Sequence, residues 1–269
     1  MRLSVIGCGY LGAVHAASMA ELGHDVVGVD IDTHKVDLLS DGRAPFFEPE
    51  LEELLARNVD AGRLTFSENF SAIEGAQVHF ISVGTPQSES GAADMSYVNV
   101  AVDSMLPHLG RCTAGPEVVA GKSTVPVGTA SRLAQTIERA GALLVWNPEF
   151  LREGFAVQDT LRPDRMVYGL PDDPGTAARA KEVMDAVYER ILATGTPRLV
   201  MDYATAELVK VSANAFLATK ISFINAMSQV CDAAGANVTA LAEAIGMDER
   251  IGSRFLRAGI GFGGGCLPK

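Results

Sequence analysis

The chain has 269 residues, of which 48% are hydrophobic and 20% are charged, and its formal net charge is −11. An acidic excess of this size repels a phosphate backbone, so we expect no nucleic-acid partner. No uninterrupted apolar stretch approaches the roughly 18 residues that a membrane-spanning helix needs. The N-terminus leads directly into a strand pattern and does not resemble a signal peptide. The sequence therefore predicts a soluble cytoplasmic protein without a membrane partner.

The four cysteines are widely spaced and form no C-x-x-C pair, and no histidine stands at metal-ligand spacing from them. This pattern predicts reduced thiols and neither a disulfide framework nor a metal site. Cys8, Cys112 and Cys231 are interpreted as small hydrophobic residues. Cys266 differs because it follows a run of glycines that begins at Gly261, and such a loop can present a thiol nucleophile to a bulky ligand.

A glycine-rich turn follows the first predicted strand, over residues 3–6, and precedes a predicted helix over residues 13–22. The turn reads G-x-G-x-x-G, with its glycines at Gly7, Gly9 and Gly12. In this context the first glycine turns the chain, the second admits a pyrophosphate, and the third packs the helix on the sheet. The segment is therefore predicted to bind a dinucleotide.

The second predicted strand, over residues 25–29, is followed at once by Asp30. A carboxylate in this position can bind both ribose hydroxyls of NAD and would repel the additional phosphate of NADP. NAD is therefore the predicted cofactor. His15 and His24 are interpreted as surface or packing residues without a catalytic role.

Further strand patterns alternate with helical ones, which predicts a Rossmann-like, doubly wound, mainly parallel sheet whose ligands lie at the carboxyl ends of its strands. The patterns cover residues 78–83, 117–120, 143–145, 166–168 and 198–201. Hydroxyl and carboxyl groups follow three of these strands, in the loops 84–86, 121–129 and 147–154.

Residues 203–234 contain no glycine or proline and predict one long helix or two nearly continuous ones. A helix of this length supports a dimer interface or links two domains. We therefore predict an NAD-binding domain over residues 1–201 and an all-α dimerisation domain over residues 202–269. Lys210 and Asn214 are four residues apart and share a face of the helix, either as a solvated pair or as a functional one.

Five blocks in order along the chain resemble the nucleotide-sugar dehydrogenases of the UDP-glucose/GDP-mannose dehydrogenase family. They are the glycine turn with Asp30, residues 122–129, residues 147–154, residues 206–220 and residues 254–269. The resemblance implies oxidation of the C6 alcohol of a nucleotide-linked hexose to a carboxylate, with two NAD molecules reduced in succession. UDP-glucose is the preferred substrate, because residues 210–223 and the segment after Phe255 look most like the branch that uses it.

The resemblance makes Cys266 the nucleophile. Its thiolate would add to the aldehyde left by the first hydride transfer, and loss of a second hydride from the thiohemiacetal would leave a thioester that water cleaves. A thiol suits this step better than a serine hydroxyl, which is a weaker nucleophile at neutral pH.

Other catalytic roles are implied in the same way. Lys210 and Asn214 would hold the oxygen at C6 and stabilise developing negative charge. Glu149 and Glu153 resemble an acidic pair, of which one aids proton transfer or thioester hydrolysis and the other contacts cofactor or substrate. Thr124 would hold a water molecule or the nicotinamide side.

Binding contacts are implied for two larger sets. The cofactor set is Gly7, Gly9, Tyr10, Leu11, Gly12, Asp30, Lys35, Thr85, Ser123, Thr124, Glu153 and Lys269. The substrate set is Glu149, Phe150, Leu151, Arg152, Glu153, Lys210, Asn214, Phe255, Leu256, Arg257, Ala258, Gly259 and Gly263, together with Arg250, which would reach the substrate of a neighbouring subunit.

The sequence departs from the family pattern in two places. Gly265 stands where a serine is common, and the sequence stops at Lys269, before an aspartate linked to activation of the thiol and before a further nucleotide-binding domain. We therefore expect either a fragment or a protein that has lost part of its site, with weak or absent turnover alone. Three alternatives stay open: oxidation of GDP-mannose or a UDP-N-acetylhexosamine, two-electron oxidation of a 3-hydroxyacid, and a noncatalytic NAD-binding or dimerising module.

Overall fold

The computed structural model describes residues 1–88 and 91–261. The chain divides into two compact units. The first contains Met1–Thr85 and Asp94–Leu208, and the second contains Pro86–Ala93 and Val209–Lys269. The long helix passes from the first unit into the second at Leu208.

The described part of the first unit contains a single sheet of eight strands. In chain order they are β1 (Arg2–Ile6), β2 (Asp25–Val29), β3 (Leu64–Ser67), β4 (Val78–Ile81), β5 (Val118–Gly121), β6 (Leu143–Trp146), β7 (Met166–Leu170) and β8 (Arg198–Asp202). The strand β3 was not predicted, because a four-residue edge strand gives too short an alternation to separate it from a loop.

The predicted Rossmann-like, mainly parallel sheet is confirmed. Its order is β3-β2-β1-β4-β5-β6-β7-β8. The first six strands are parallel, β7 pairs with β6 in the antiparallel sense, and β8 is parallel to β7. The central strands β4 and β5 are buried throughout, as expected for parallel strands that are covered by helices on both faces.

Ten α-helices are found within the described residues. They are α1 (Tyr10–Glu21), α2 (Thr33–Ser40), α3 (Leu51–Asp60), α4 (Ser96–Met105), α5 (Thr129–Arg139), α6 (Ala156–Leu161), α7 (Pro174–Val187), α8 (Glu189–Leu192), α9 (Tyr203–Ala234) and α10 (Val238–Gly246). The observed bounds of α9 match the predicted ones, because no helix-breaking residue interrupts it. None of the described helices combines the length and the apolar character that a bilayer span requires.

Three buried polar side chains, on or directly before neighbouring strands of the sheet, are linked to one another by hydrogen bonds. The Ser4 hydroxyl lies 2.7 Å from Nδ1 of His79, and the Nε2 atom of His79 lies 2.9 Å from the Glu117 carboxylate. Burial raises the pKa of Glu117, but hydrogen bonds from His79 and the Cys112 amide outweigh it and lower the pKa overall. The three side chains resemble a hydrolase triad in type, but each is almost completely buried. They serve as internal polar packing.

The second unit consists mainly of helix. It contains α9 from Val209 onward, α10, and the segment that follows α10. The Lys220 ammonium donates to the carbonyl oxygens of Ile251 and Gly252 at 2.9 and 3.2 Å. The Gly259 amide donates to the Asn225 side chain at 2.8 Å. Side chains of α9 therefore hold the segment after α10 in place.

Candidate active site

The glycine turn after β1 has the geometry that its sequence predicts. Gly7 has a φ of +86°, which favours glycine, and a Cβ atom on Gly12 would lie 1.8 Å from the Gly7 carbonyl oxygen. A Cβ atom on Gly9 would meet nothing within 4 Å. Gly7 and Gly12 are thus required by the protein itself, whereas Gly9 leaves open space beside the backbone.

The helix α1 begins immediately after this open position. Gly9 is its N-cap residue, and no side chain caps the first turn within the described structure. The leading N–H groups of a helix have no partner inside the helix and favour an anion. The turn, the open space at Gly9 and the helix start fit the pyrophosphate of a dinucleotide.

Asp30 lies at the end of β2 and is only 8% exposed. Its carboxylate accepts hydrogen bonds from the Cys8 amide at 2.7 Å and the Asp32 amide at 3.1 Å. The Lys35 ammonium lies 3.0 Å from the same carboxylate. The structure therefore brings together two of the predicted cofactor residues, and it fixes Asp30 beside the glycine turn, where a ribose would follow a pyrophosphate.

The loops after β4 and β5 are tied to each other by hydroxyl groups. The Thr85 hydroxyl donates to the Thr124 carbonyl oxygen at 2.7 Å, and the Ser123 hydroxyl donates to the Val83 carbonyl oxygen at 2.7 Å. Thr85 and Ser123 are buried, and Thr124 is half-buried. Three predicted site residues thus lie in one pair of loops at the carboxyl edge of the sheet.

A buried lysine, Lys122, supports the next loop. Lys122 is 3% exposed, and its ammonium lies 3.2 Å from a carboxylate oxygen of Glu149 and 3.2 Å from the Asn147 side-chain oxygen. The Asn147 amide group donates to the Val167 carbonyl at 2.9 Å, and the Tyr188 hydroxyl donates to Asn147 at 2.8 Å. A buried charge is tolerated only with such partners. Lys122 was not predicted as a site residue, although it begins the block at 122–129.

Glu149 is held at both of its oxygens. One oxygen faces Lys122, and the other accepts from the amides of Phe150 and Leu151 at 2.6 and 3.0 Å. These bonds orient the carboxylate at the start of the loop 149–155. Glu153 lies in the same loop and is exposed.

The end of the loop is held by Glu48, which sequence reasoning missed. The Glu48 carboxylate accepts from the Gly154 amide at 2.8 Å, from the Ala156 amide at 2.7 Å, and from the Tyr10 hydroxyl. Burial raises the pKa of Tyr10, and so do the hydrogen bond to Glu48 and the nearby charge of Glu153. No periodicity links residue 48 with residue 154, so only the folded chain brings them together.

Three predicted substrate residues of the same loop also make contacts within the chain. Arg152 forms a bidentate pair with Asp159 at 2.9 and 2.6 Å. The Phe150 ring lies 4.0 Å below the Arg165 guanidinium, and Leu151 packs partly against the core. These contacts give the loop a defined shape.

Glu207, in the second turn of α9, binds the start of α5. Its two oxygens accept from the amides of Gly128 and Ala130, each at 2.7 Å. Burial raises the pKa of Glu207 in spite of these hydrogen bonds. The carboxylate therefore anchors the end of the loop that carries Thr124, and this anchor was also missed by the sequence analysis.

The second unit contains the remaining predicted site residues. Lys210 and Asn214 are half-buried on α9. Arg250 is 88% exposed and forms a bidentate pair with Asp248 at 3.0 and 2.6 Å. Phe255 has a φ of +65° and Leu256 is buried. Arg257 and Gly259 are exposed, whereas Ala258 is half-buried; Gly263, Cys266 and Lys269 lie outside the described residues.

Two family models match the chain. Residues 1–192 match the NAD binding domain of the UDP-glucose/GDP-mannose dehydrogenase family, and residues 204–269 match its central domain. The UDP-glucose 6-dehydrogenase of Rhizobium meliloti is 45% identical over the whole chain, which covers 61% of that relative. The UDP-glucose 6-dehydrogenase YwqF of Bacillus subtilis is 43% identical, and the chain covers 60% of it.

Solved structures agree with these matches. The UDP-glucose dehydrogenase of Pyrobaculum islandicum is 41% identical and superimposes with a TM-score of 0.91 over 99% of this chain and 61% of its own. The GDP-mannose dehydrogenase of Pseudomonas aeruginosa is 30% identical, with a TM-score of 0.86 over 100% of this chain and 62% of its own. The chain thus spans about three fifths of the length of the relatives it matches.

Proposed function

The chain belongs to the UDP-glucose/GDP-mannose dehydrogenase family and contains its NAD binding domain, and we propose on this premise that it oxidises UDP-glucose to UDP-glucuronate in two successive NAD-dependent steps. The observation that carries the proposal is Asp30, buried and held by three hydrogen bonds next to a glycine turn with open space at Gly9. The matched relatives are longer than this chain, so the oxidation is proposed for a protein of their full length.

The first unit would bind the dinucleotide. The start of α1 would receive the pyrophosphate, and Asp30 with Lys35 would receive the ribose. When bound, NAD supplies a hydride acceptor for the carbon at C6. Thr85, Ser123 and Thr124 would line the nicotinamide side, where the loops after β4 and β5 are tied together.

The catalytic roles are proposed from family resemblance. Cys266 would attack the aldehyde as a thiolate, and its thioester would be cleaved by water to release a carboxylate and the free thiol. Lys210 and Asn214 would stabilise the negative charge that develops on the oxygen at C6. Glu149 and Glu153 would serve proton transfer and binding. The two contacts that orient Glu149 support a catalytic position for its carboxylate.

Substrate binding is proposed for the rest of the predicted set. The loop from Phe150 to Arg152, the segment from Phe255 to Gly259, and Gly263 would contact the nucleotide sugar. Arg250 would reach the substrate of a neighbouring subunit. UDP-glucose is favoured over GDP-mannose because identity is higher to the UDP-glucose enzymes, at 41–45%, than to the GDP-mannose enzyme, at 30%.

We also propose a homodimer formed through α9, a domain division at residues 201 and 202, and a cytoplasmic location. The dimer proposal is supported by three exposed apolar side chains, Phe216, Phe223 and Val230, that recur along α9. The cytoplasmic location agrees with the free thiols of Cys8, Cys112 and Cys231.

The function is tested by cofactor binding and by sugar oxidation on the chain as it stands. Calorimetry should show that NAD binds at least about tenfold more tightly than NADP, and that Asp30→Ala removes most of this preference. Absence of NAD binding would refute the assignment of the cofactor site.

Turnover is followed by NADH absorbance with UDP-glucose, GDP-mannose and a UDP-N-acetylhexosamine, each compared with the amount of sugar acid formed. The proposal predicts two NADH per UDP-glucuronate and loss of this product in Cys266→Ser, with Cys112→Ser as the matched control. Where turnover is slow, mass spectrometry should detect the thioester on Cys266 after incubation with the 6-aldehyde of UDP-glucose and NAD. Unchanged oxidation in Cys266→Ser, or a single NADH per sugar, would contradict the four-electron mechanism.

A further inference from the structure

Glu48 accepts more hydrogen bonds than a surface carboxylate normally does. It is 5% exposed, and its two oxygens receive the amides of Gly154 and Ala156 and the hydroxyl of Tyr10. These four residues are named the Glu48 clamp. A buried carboxylate with three donors has a fixed orientation, because losing any donor leaves an unpaired lone pair away from water.

Tyr10 belongs to the dinucleotide turn as well as to the clamp. It is the first residue of α1, so its backbone lies where a pyrophosphate would meet the helix start. Its ring packs against Phe46 with a distance of 4.9 Å between ring centroids. The hydroxyl lies 3.3 Å from the Gly154 amide, in addition to its bond to Glu48. A single side chain thus connects the helix start with Gly154.

Gly154 lies near the end of the loop 149–155 and Ala156 begins α6 directly after it, and this loop carries both proposed catalytic carboxylates. At the opposite end of the loop, Glu149 is fixed by the buried ammonium of Lys122. Gly154 has a φ of +84°, so this end depends on a backbone conformation that few other residues adopt. The clamp therefore sets the position of the loop end that follows Glu153.

We propose that Glu48 is a positioning residue that couples dinucleotide binding at the glycine turn to the order of the loop 149–155. NAD at the helix start would restrain the backbone of Tyr10 further, the Tyr10 hydroxyl would pass this restraint to the Glu48 carboxylate, and Glu48 holds the amides of Gly154 and Ala156. The inference deepens the proposed function, since it rests on NAD binding at α1. Coupling between two sites is reciprocal, so a weaker clamp also weakens NAD binding by the same factor.

Hydrogen–deuterium exchange of the chain, with and without saturating NAD, tests the coupling. In the unmodified chain NAD should slow exchange of the Gly154 and Ala156 amides by about fivefold or more, at the lower end of typical coupling energies. Tyr10→Phe removes one hydroxyl and leaves both amides bonded to Glu48. NAD should still bind to this variant, but its effect on the two amides should fall below about twofold.

Glu48→Gln and Glu50→Gln form a matched pair of neutralising variants. Glu50 accepts from Gln158 of α6 at 2.8 Å and belongs to the same segment, whereas the Tyr10 hydroxyl donates to Glu48. Glu48→Gln should lose the NAD-dependent protection and bind NAD several-fold more weakly, whereas Glu50→Gln should keep both properties. Circular dichroism verifies that each variant is folded, and Tyr10→Phe alone decides the question if Glu48→Gln is not.

The outcomes separate this inference from the proposed function. Failure of the unmodified chain to bind NAD would overturn both. NAD binding without protection of Gly154 and Ala156, or full protection in Tyr10→Phe, would overturn the coupling alone, because a merely structural clamp would leave the response to NAD unchanged.

Discussion

The charged side chains of the first unit and the apolar side chains of α9 in the second unit differ in how far the chain itself covers them. At the carboxyl edge of the sheet, the charged side chains Glu48, Lys122 and Glu207 are buried and each has two or more partners. Along α9, in contrast, Phe216, Phe223 and Val230 are 66%, 47% and 56% exposed. The geometry of the first region is thus fixed by its own contacts, whereas the exposed apolar side chains of α9 are the observation behind the proposed dimer interface.

In the first region, adding one methyl group at Gly12 is expected to cause the largest loss of stability. In Gly12→Ala the Cβ atom would lie 1.8 Å from the Gly7 carbonyl oxygen. The better helix propensity of alanine contributes only about 1 kcal/mol, and we expect the clash to outweigh it and destabilise the fold by about 3 kcal/mol. Chemical denaturation measures this loss.

Gly9→Ala is the matched control for that substitution. A Cβ atom there meets nothing within 4 Å, so stability should change by less than about 1 kcal/mol. The methyl group would, however, occupy the space needed by the pyrophosphate, and NAD affinity should fall about tenfold or more by calorimetry. Equal stability of the two variants would show that the turn is not packed as described.

A charge placed on α9 tests the second region. Phe216, Phe223 and Val230 are seven residues apart and therefore lie along one stripe of the helix. Phe223→Asp would bury an unpaired carboxylate in the proposed dimer interface, and we expect dissociation to be favoured by about 100-fold. Sedimentation velocity should show a dimer for the unmodified chain and a monomer for the variant.

Val100→Asp supplies the control for this experiment. Val100 is 59% exposed on α4 of the first unit, so the added charge is of the same kind but lies outside the stripe. The Val100→Asp variant should form a dimer as readily as the unmodified chain. An unmodified chain that is already monomeric, or a Phe223→Asp variant that stays dimeric, would remove the support for an interface on this helix.

The smallest expected effect concerns the buried side chain of His15 in the first unit. Neither ring nitrogen of His15 has one among the described residues, and the ring packs edge-on against Phe80 at 4.4 Å. Burial, and then the charge of Lys122, holds the pKa of His15 well below its usual range. The folded state therefore binds fewer protons than the unfolded state below a pH of about 6.5.

Because of this difference, His15 contributes fully to the free energy of unfolding above a pH of about 6.5. The contribution decreases as the pH falls below this value toward the folded-state pKa. The loss reaches at most about 1.4 kcal/mol per pH unit. Urea unfolding between pH 8 and pH 5 should show a shallower decline for His15→Leu than for the unmodified chain. His34→Gln, an exposed histidine on α2, should decline like the unmodified chain. Parallel curves for His15→Leu and the unmodified chain would contradict the prediction.

Local patterns were sufficient to predict much of the fold. The glycine turn, the second strand and the full extent of α9 follow from short-range rules, because a turn, an apolar run and an absence of helix breakers are each visible within a few residues. The edge strand β3 was missed, since four residues give too weak a pattern. His15 was predicted to be a surface or packing residue, and the structure buries it against Phe80, but its lack of a hydrogen-bond partner among the described residues depends on residues far along the chain.

The candidate site was predictable only in part. Asp30 was predicted because it follows a strand at a fixed distance from the glycine turn, whereas Lys35 was implied by the family resemblance, and the structure joins the two at 3.0 Å. Glu48, Lys122 and Glu207 were missed as supports because their partners lie at residues 154, 149 and 128, which no sequence period connects. Residues that support a site from far along the chain are recognised only in the tertiary structure, whereas a ligand-binding turn is recognised from a short stretch of sequence.

The reversal of direction between β6 and β7 determines where the first turns of α9, up to Leu208, lie within the first unit. With all eight strands aligned, the chain would leave β8 at the cofactor edge, and a helix packed on the sheet would run away from that edge. Since β7 and β8 point the other way, the chain leaves from the far edge and its next helical turns return across the sheet. Tyr203 accordingly donates to the Leu144 carbonyl, and one turn later Glu207 reaches the amides that open α5. One antiparallel pairing thus brings the first two turns of α9, within the first unit, to the edge where the loops meet.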